Sequence, residues 1–313
     1  MRGGATNQQH SNQQPRHHPF AEISHTAGTV HLTDGDGKQI AALDVPGTIV
    51  RATRDASGYQ VSVGGLPLGV FAGPLLFRPT EAANELRVEH IRRSFSGIKV
   101  PSYRGTIELS HASGTEANRL HVVNIVEIED YVPGVVANES IASFHMEALK
   151  AQAVAARGYA IANIGRFRAT FPYDIVDSSA SQVYRGVISE HPRAVQASAE
   201  TVGLVASHGG QIIGALYSSS MGGHTDHNEW IFNVPSSQLP GTNFTPYLRG
   251  STTATASLPI RLRRGPSRRS GRRRRCRRST TTAAASGTAS RAGAWCSPAR
   301  SSAGASRRPS RRA

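Results

Sequence analysis

Cysteine is nearly missing from this chain: two residues in 313, Cys276 and Cys296, and none before position 251. The first 250 residues therefore carry no disulfide, which is compatible with an extracytoplasmic location but does not establish one. Long apolar runs are missing too. Nowhere do the ~18 consecutive apolar residues of a membrane-spanning helix occur, and MRGGATNQQHSNQQPRHHPF lacks the apolar core of a signal peptide. Acidic residues and lysine are absent from 251–313, which hold 17 Arg. That tail accounts for the formal net charge of +15, because residues 1–250 hold 19 basic against 21 acidic residues. The body is not a basic protein. Phosphate binding by the Arg run would be salt-dependent and lost on deleting 251–313, so no specific nucleic-acid partner is expected.

Residues 1–27, rich in Gln, Asn and His, have the composition of a disordered segment, with His10, His17 and His18 solvated in it. From residue 28 the segments TVHLT, KQIAALD, TIVRAT, YQVSV, LPLGVFAGPLLF and ELRVEHI alternate as strands do. Asp34-Gly35-Asp36-Gly37, Pro46-Gly47 and Ala56-Ser57-Gly58 separate the first of them as turns. The Asp-Gly pairs are a hairpin turn and not a calcium loop, since the place of a bidentate Glu holds Val45. A β-rich accessory module over 28–100 follows, either separate or packed on what comes next.

The most informative stretch is Asn124 to Gly165. Ile125, Val126 and Ile128 form a β-type run, Glu129-Asp130-Tyr131 an acidic turn, and Pro133-Gly134 a chain break ahead of a loop carrying Glu139. From Phe144, apolar Leu149, Ala153, Ala156, Ala160 and Ile164 recur at helical spacing, with Ser143 as cap and Gly165 as left-handed stop. Downstream, His191-Pro192-Arg193 opens a second helix. GLVASHGGQIIGALYSSS reads as a hairpin that turns at His208-Gly209-Gly210. The class is α+β, with one long central helix against antiparallel strands.

EDYVPGVVANES, EALKAQAVAARGYAIANIGR, YDIVDSSASQVYRG, EHPRAVQASAETVGLV, ALYSSSMGGHT and PYLRG, in that order, resemble the SpoIID/LytB family of sporulation and amidase-enhancer proteins, from about Tyr103 to Gly250. The resemblance implies a SpoIID-like catalytic domain over 101–250 and a lytic transglycosylase acting on peptidoglycan glycan strands stripped of stem peptides. Its catalytic acid would be Glu139. Its other side implies a non-catalytic glycan-binding modulator of cell-wall amidases. Either role implies an extracytoplasmic protein whose export signal is not visible here. From spacing alone, Glu139 reads first as an N-terminal helix-dipole or cap residue, and the resemblance is what makes it the catalytic acid.

A transglycosylase can work with one carboxylate because muramic acid supplies its own 6-hydroxyl nucleophile. The acid then needs a partly apolar setting, for which Val135, Val136, Ala137 and Ile141 are at hand. Gln152, Arg157, Gln182 and Tyr184 match family positions and are candidate substrate-binding residues, although Arg157 would equally pair with Asp130 or Asp177. Tyr217, Ser219, Ser220, Gly222, Gly223 and Thr225 join them, as hydroxyls and bare backbone suited to sugars or simply as a tight loop. No metal or cofactor is expected. Zinc-binding relatives carry Cys and His where this chain has Ser181 and Ser218, and serine is a poor zinc ligand.

After YLRG the composition changes abruptly, and 251–313 is expected to be disordered. Family members commonly continue with Val-Asp-Asp. Codons compatible with Ser-Thr-Thr-Ala-Thr-Ala, read one base back, give Val-Asp-Asp-Gly-Tyr, so this tail is expected to be an out-of-frame translation. The catalytic domain would then be incomplete at its C-terminal end, as the missing GHGVGMSQ-like motif also suggests.

Overall fold

Alternating segments with their turns become antiparallel strands here, and the apolar runs between them become helices. A computed structural model describes residues 17–94, 97–111, 118–220, 223–228, 246–251 and 261–264. The chain divides into two units, Met1–Arg268 and Arg269–Ala313, and all described residues lie in the first.

The first strands are β1 (Phe20–His25), β2 (Val30–Thr33), β3 (Gln39–Leu43), β4 (Val50–Asp55) and β5 (Gly58–Val63). Then come β6 (Leu66–Phe71), β7 (Leu75–Pro79), β8 (Leu86–Val88), β9 (Arg93–Ser94), β10 (Ile98–Lys99) and β11 (Ser102–Tyr103). Strands β12 (Thr106–His111) and β13 (Leu120–Ile125) lead into helix α1 (Ile128–Glu139) and helix α2 (Met146–Ala162). Helix α3 (Pro192–Ala199), β14 (Leu204–His208), β15 (Gln211–Ile212) and β16 (Arg261–Arg264) complete the order.

Two antiparallel sheets share one core. One has the order β11-β8-β1-β4-β5-β6, the other β13-β12-β7-β2-β3. The Asp34–Gly37 turn does close the β2–β3 hairpin, with Asp34 Oδ1 accepting the Lys38 N–H at 2.8 Å. The boundary expected at 100/101 falls inside a sheet, because β7 pairs with β12 (Ile107↔Phe77, Leu109↔Leu75). One apolar cluster runs from Ile23, Leu32, Leu75 and Phe77 through Ile107 and Leu109 to Tyr131, Val135, Ala156 and Tyr184. The β-rich residues are thus part of the body that carries Glu139.

Three expectations are corrected. Residues 17–27 are not a solvated tail: His18 bridges to Leu120 and is buried, and β1 pairs with both β4 and β8. The segment's polar average masks a short strand that only distant partners stabilise. Of the Arg-rich tail, Arg261–Arg264 pair with β14 from Leu204↔Arg264 to Ser207↔Arg261, so disorder does not hold for these four. Residues 1–16, 252–260 and 265–313 lie outside the described residues.

The third correction reaches the site. Glu129 to Glu139 is helix α1, not a turn, break and loop, and Pro133 sits inside it. Proline in a helix interior costs ~3 kcal/mol, but Tyr131 to Val136 are all buried, and their packing outweighs that local penalty. Gly134 is a close-approach residue, not a breaker. A Cβ there would lie 2.7 and 2.9 Å from the Tyr184 ring. Helix α2 follows, with its Nδ1 cap from His145 and not Ser143. The predicted stripe Leu149, Ala153, Ala156 and Ala160 is buried, whereas Ile164 lies past the helix end and is exposed. Gly165 does adopt the left-handed region, at φ 86°. Val132 and Val136 of α1 pack on Leu149 and Ala153 of α2 and on Ala194 and Ala197 of α3.

Candidate active site

Glu139 is the last residue of α1. The carbonyl end of a helix gives a carboxylate no electrostatic benefit, so stabilising the helix does not explain its presence. The end of the helix is fixed independently. Asn138 Nδ2 donates to the Gly134 carbonyl at 2.6 Å and to Ser189 Oγ at 2.7 Å. The Glu139 carboxylate, half-buried, accepts the Val183 N–H on Oε1 at 2.6 Å. Tyr217 lies beside it, within the field of the Glu139 charge.

Behind this pair stands Gln182, fully buried. Its Nε2 donates to the Ala156 carbonyl and to the Tyr217 oxygen, each at 3.2 Å, and its Oε1 accepts from the Tyr131 hydroxyl at 3.1 Å. Burial raises Tyr217 above the ordinary tyrosine range; the Gln182 bond opposes that and the nearby Glu139 charge adds to it. Tyr131 and Tyr184 are raised as well, burial again first. These hydroxyls stay protonated and serve as donors.

The Tyr131 hydroxyl lies in the field of one more carboxylate, Asp177. Asp177 is ion-paired with Arg93, so it is already engaged. Gln152 lies one turn before Ala156 on α2, and its Nε2 is buried with no hydrogen-bond partner among the described residues. Tyr184 is a core residue, stacked at an angle on Tyr131 and Tyr103. Ser218, Ser219 and Ser220 are exposed just beyond Tyr217, and Ser218 Oγ donates to the Ser220 carbonyl at 3.3 Å. Gly223 is exposed, and Gly222 lies outside the described residues. Thr225 exchanges backbone bonds with Ser251 at 3.0 and 3.1 Å, which closes the PYLRG segment onto this loop.

Arg157 is not at the site. It is 1% exposed and forms a fork with Glu129, Nε to Oε1 at 3.0 Å and Nη2 to Oε2 at 2.8 Å, in place of the expected Asp130 or Asp177. Its Nη1 donates to the Leu204 carbonyl at 3.0 Å. The helical reading of α1 explains the mismatch, since only a helix turns Glu129 toward α2. Among the described residues no group of three or more His, Cys, Asp or Glu converges to hold a metal. His191 caps α3 and His227 accepts the Gly250 N–H. A cavity of about 600 Å³ between Arg54, Tyr59, Pro74 and Phe171 contains none of the groups around Glu139.

The class is an α+β body with one anchored carboxylate at a helix end, and sequence comparison says what part of it is similar to. Residues 116–208 match the SpoIID family model, described as stage II sporulation protein. The match includes Glu139, Gln152, Arg157, Gln182 and Tyr184 and ends before Tyr217. An uncharacterized protein of Brachyspira hyodysenteriae is 41% identical over 120 residues, 38% of this chain and 33% of that protein. The amidase enhancer of Bacillus subtilis is 45% identical over 104 residues, 33% of this chain and 14% of that protein. Stage II sporulation protein D of Bacillus subtilis is 29% identical over 154 residues, 43% of this chain and 45% of that protein. The chain thus spans less than half the length of each of these relatives.

Proposed function

We propose that this protein is a peptidoglycan lytic transglycosylase that cleaves glycan strands, preferring those stripped of stem peptides, with Glu139 as its single acid/base. The observation that carries this reading is the setting of Glu139: a carboxylate held by the Val183 N–H, beside the Tyr217 hydroxyl, at a helix end it does nothing to stabilise. In the protonated form Glu139 gives its proton to the glycosidic oxygen as the bond to the anomeric carbon breaks. The 6-hydroxyl of the same muramic acid attacks that carbon, and the carboxylate takes the hydroxyl proton. The products are a 1,6-anhydro-muramic acid end and a free hydroxyl on the departing sugar. An intramolecular nucleophile needs no second carboxylate, in keeping with Asp177 being occupied by Arg93. The exposed Ser219 and Ser220 hydroxyls are donors for sugar oxygens. Action on glycan strands places the protein outside the cytoplasm, with cell-wall amidases as candidate partners.

Mass spectrometry of purified glycan strands tests this. Wild-type protein should create 1,6-anhydro ends, and Glu139→Gln should remain folded while losing ~10²–10⁴ in rate. Glu127→Gln and Glu147→Gln should stay active. Reducing ends would instead make water the nucleophile. The 45% identity to an amidase enhancer favours a second reading, a non-catalytic modulator. No cleavage, together with stimulation of an added amidase, would establish that one.

A further inference from the structure

Six residues separate α1 from α2, and two of them face solvent with large apolar side chains. Ile141 is 61% exposed and Phe144 47% exposed. Among the described Phe and Tyr residues, Phe144 is the only exposed one. The turn is nonetheless firmly built. Phe144 N–H donates to the Ile141 carbonyl at 3.0 Å, Arg193 Nη1 reaches from α3 to the Ala142 carbonyl at 2.7 Å, and His145 caps α2. Its i and i+3 side chains are therefore displayed by fixed backbone. Both belong to the segment that leaves Glu139. Chain reach alone holds the Ile141 Cα within about 7 Å and the Phe144 Cα within about 18 Å of the Glu139 Cα, and the turn shortens the second distance.

We propose that Phe144 and Ile141 form an apolar platform on which a sugar ring of the glycan strand stacks next to the bond that Glu139 cleaves. The inference rests on the glycan-cleaving reading above and names a substrate-contacting pair for that site. The apolar C–H face of a pyranose packs on an aromatic ring while its hydroxyls remain in water or bind neighbouring donors. A pinned turn adds little ordering cost on binding. Neither residue titrates and the turn carries no Asp, Glu, Lys or Arg, which suits an uncharged ring face.

The test is equilibrium binding of purified, peptide-free glycan strands to Glu139→Gln protein, which separates binding from cleavage. Adding Phe144→Ala should weaken binding about tenfold, equivalent to ~1.4 kcal/mol, while Phe144→Trp keeps the parent affinity and both melt with the parent. Ile141→Ala should show a smaller loss. In the active protein Phe144→Ala should raise KM with little change in kcat. Unchanged affinity in Phe144→Ala overturns the platform and leaves the glycan reading standing. Equal losses in the Ala and Trp variants with a lowered Tm also overturn it, by making Phe144 a structural residue. If the Glu139→Gln parent binds no glycan, the functional reading falls and the platform with it.

Discussion

Removing the Arg157 guanidinium decides between a substrate ligand and a structural clamp. The side chain is 1% exposed and joins four pieces of the fold: Glu129 at the start of α1, its own helix, the Ser198 carbonyl of α3 and the Leu204 carbonyl of β14. Breaking a buried ion pair from one side costs ~3–5 kcal/mol, because the remaining charge is left uncompensated. The two sides differ here. Glu129 keeps 34% of its side chain exposed and also accepts the Gly203 N–H at 3.1 Å. In Arg157→Met it regains water, so the loss belongs at ~3 kcal/mol, the lower end. In Glu129→Gln the guanidinium stays buried with its charge unmet, and the loss belongs at ~4–5 kcal/mol. The double variant should be no less stable than Glu129→Gln alone, since it strands no charge. Urea unfolding at constant m-value measures all three. If Arg157→Met lies within ~0.5 kcal/mol of the parent yet loses glycan binding, the clamp argument is wrong and Arg157 is a ligand of substrate.

Two further perturbations probe the packing that supports the site. Gly134→Ala drives a methyl group into the Tyr184 ring and should destabilise by ~1–3 kcal/mol, the reverse of the gain expected at an exposed helical glycine. A neutral result in urea unfolding would show that Tyr184 is free to move aside. Burial, then His90, His17, Arg93 and His121, lowers His18 from its ordinary value to about 4. The unfolded chain therefore binds this proton more readily than the fold does. The contribution is present above about pH 6.5 and is lost as pH falls toward 4, about 3 kcal/mol in all. His18→Phe should flatten stability against pH across that window, and an unchanged slope would exclude His18 as the source.

By itself the sequence determined strands β2 to β5 and the main helix. Alternation between Thr29 and Val63, cut by Asp-Gly and Pro-Gly turns, matches β2 to β5, and the spacing of Leu149, Ala153, Ala156 and Ala160 matches α2. These are local signals: each pattern is written within a few residues of where it acts. The motif around Glu139 was legible as a candidate in the same way. Only the tertiary structure decided α1, since Pro133 and Gly134 are local breakers that the burial of Tyr131 to Val136 and the close fit of Tyr184 outweigh. It also gave Arg157 to Glu129, because that pairing depends on α1 being a helix. The setting of Glu139 was decided there too. Val183 contributes a backbone N–H from 44 residues away, and Gln182 and Tyr217 meet across 35 residues. A backbone donor leaves no trace in side-chain identity. Contacts across such separations form only when the packed core brings the segments together.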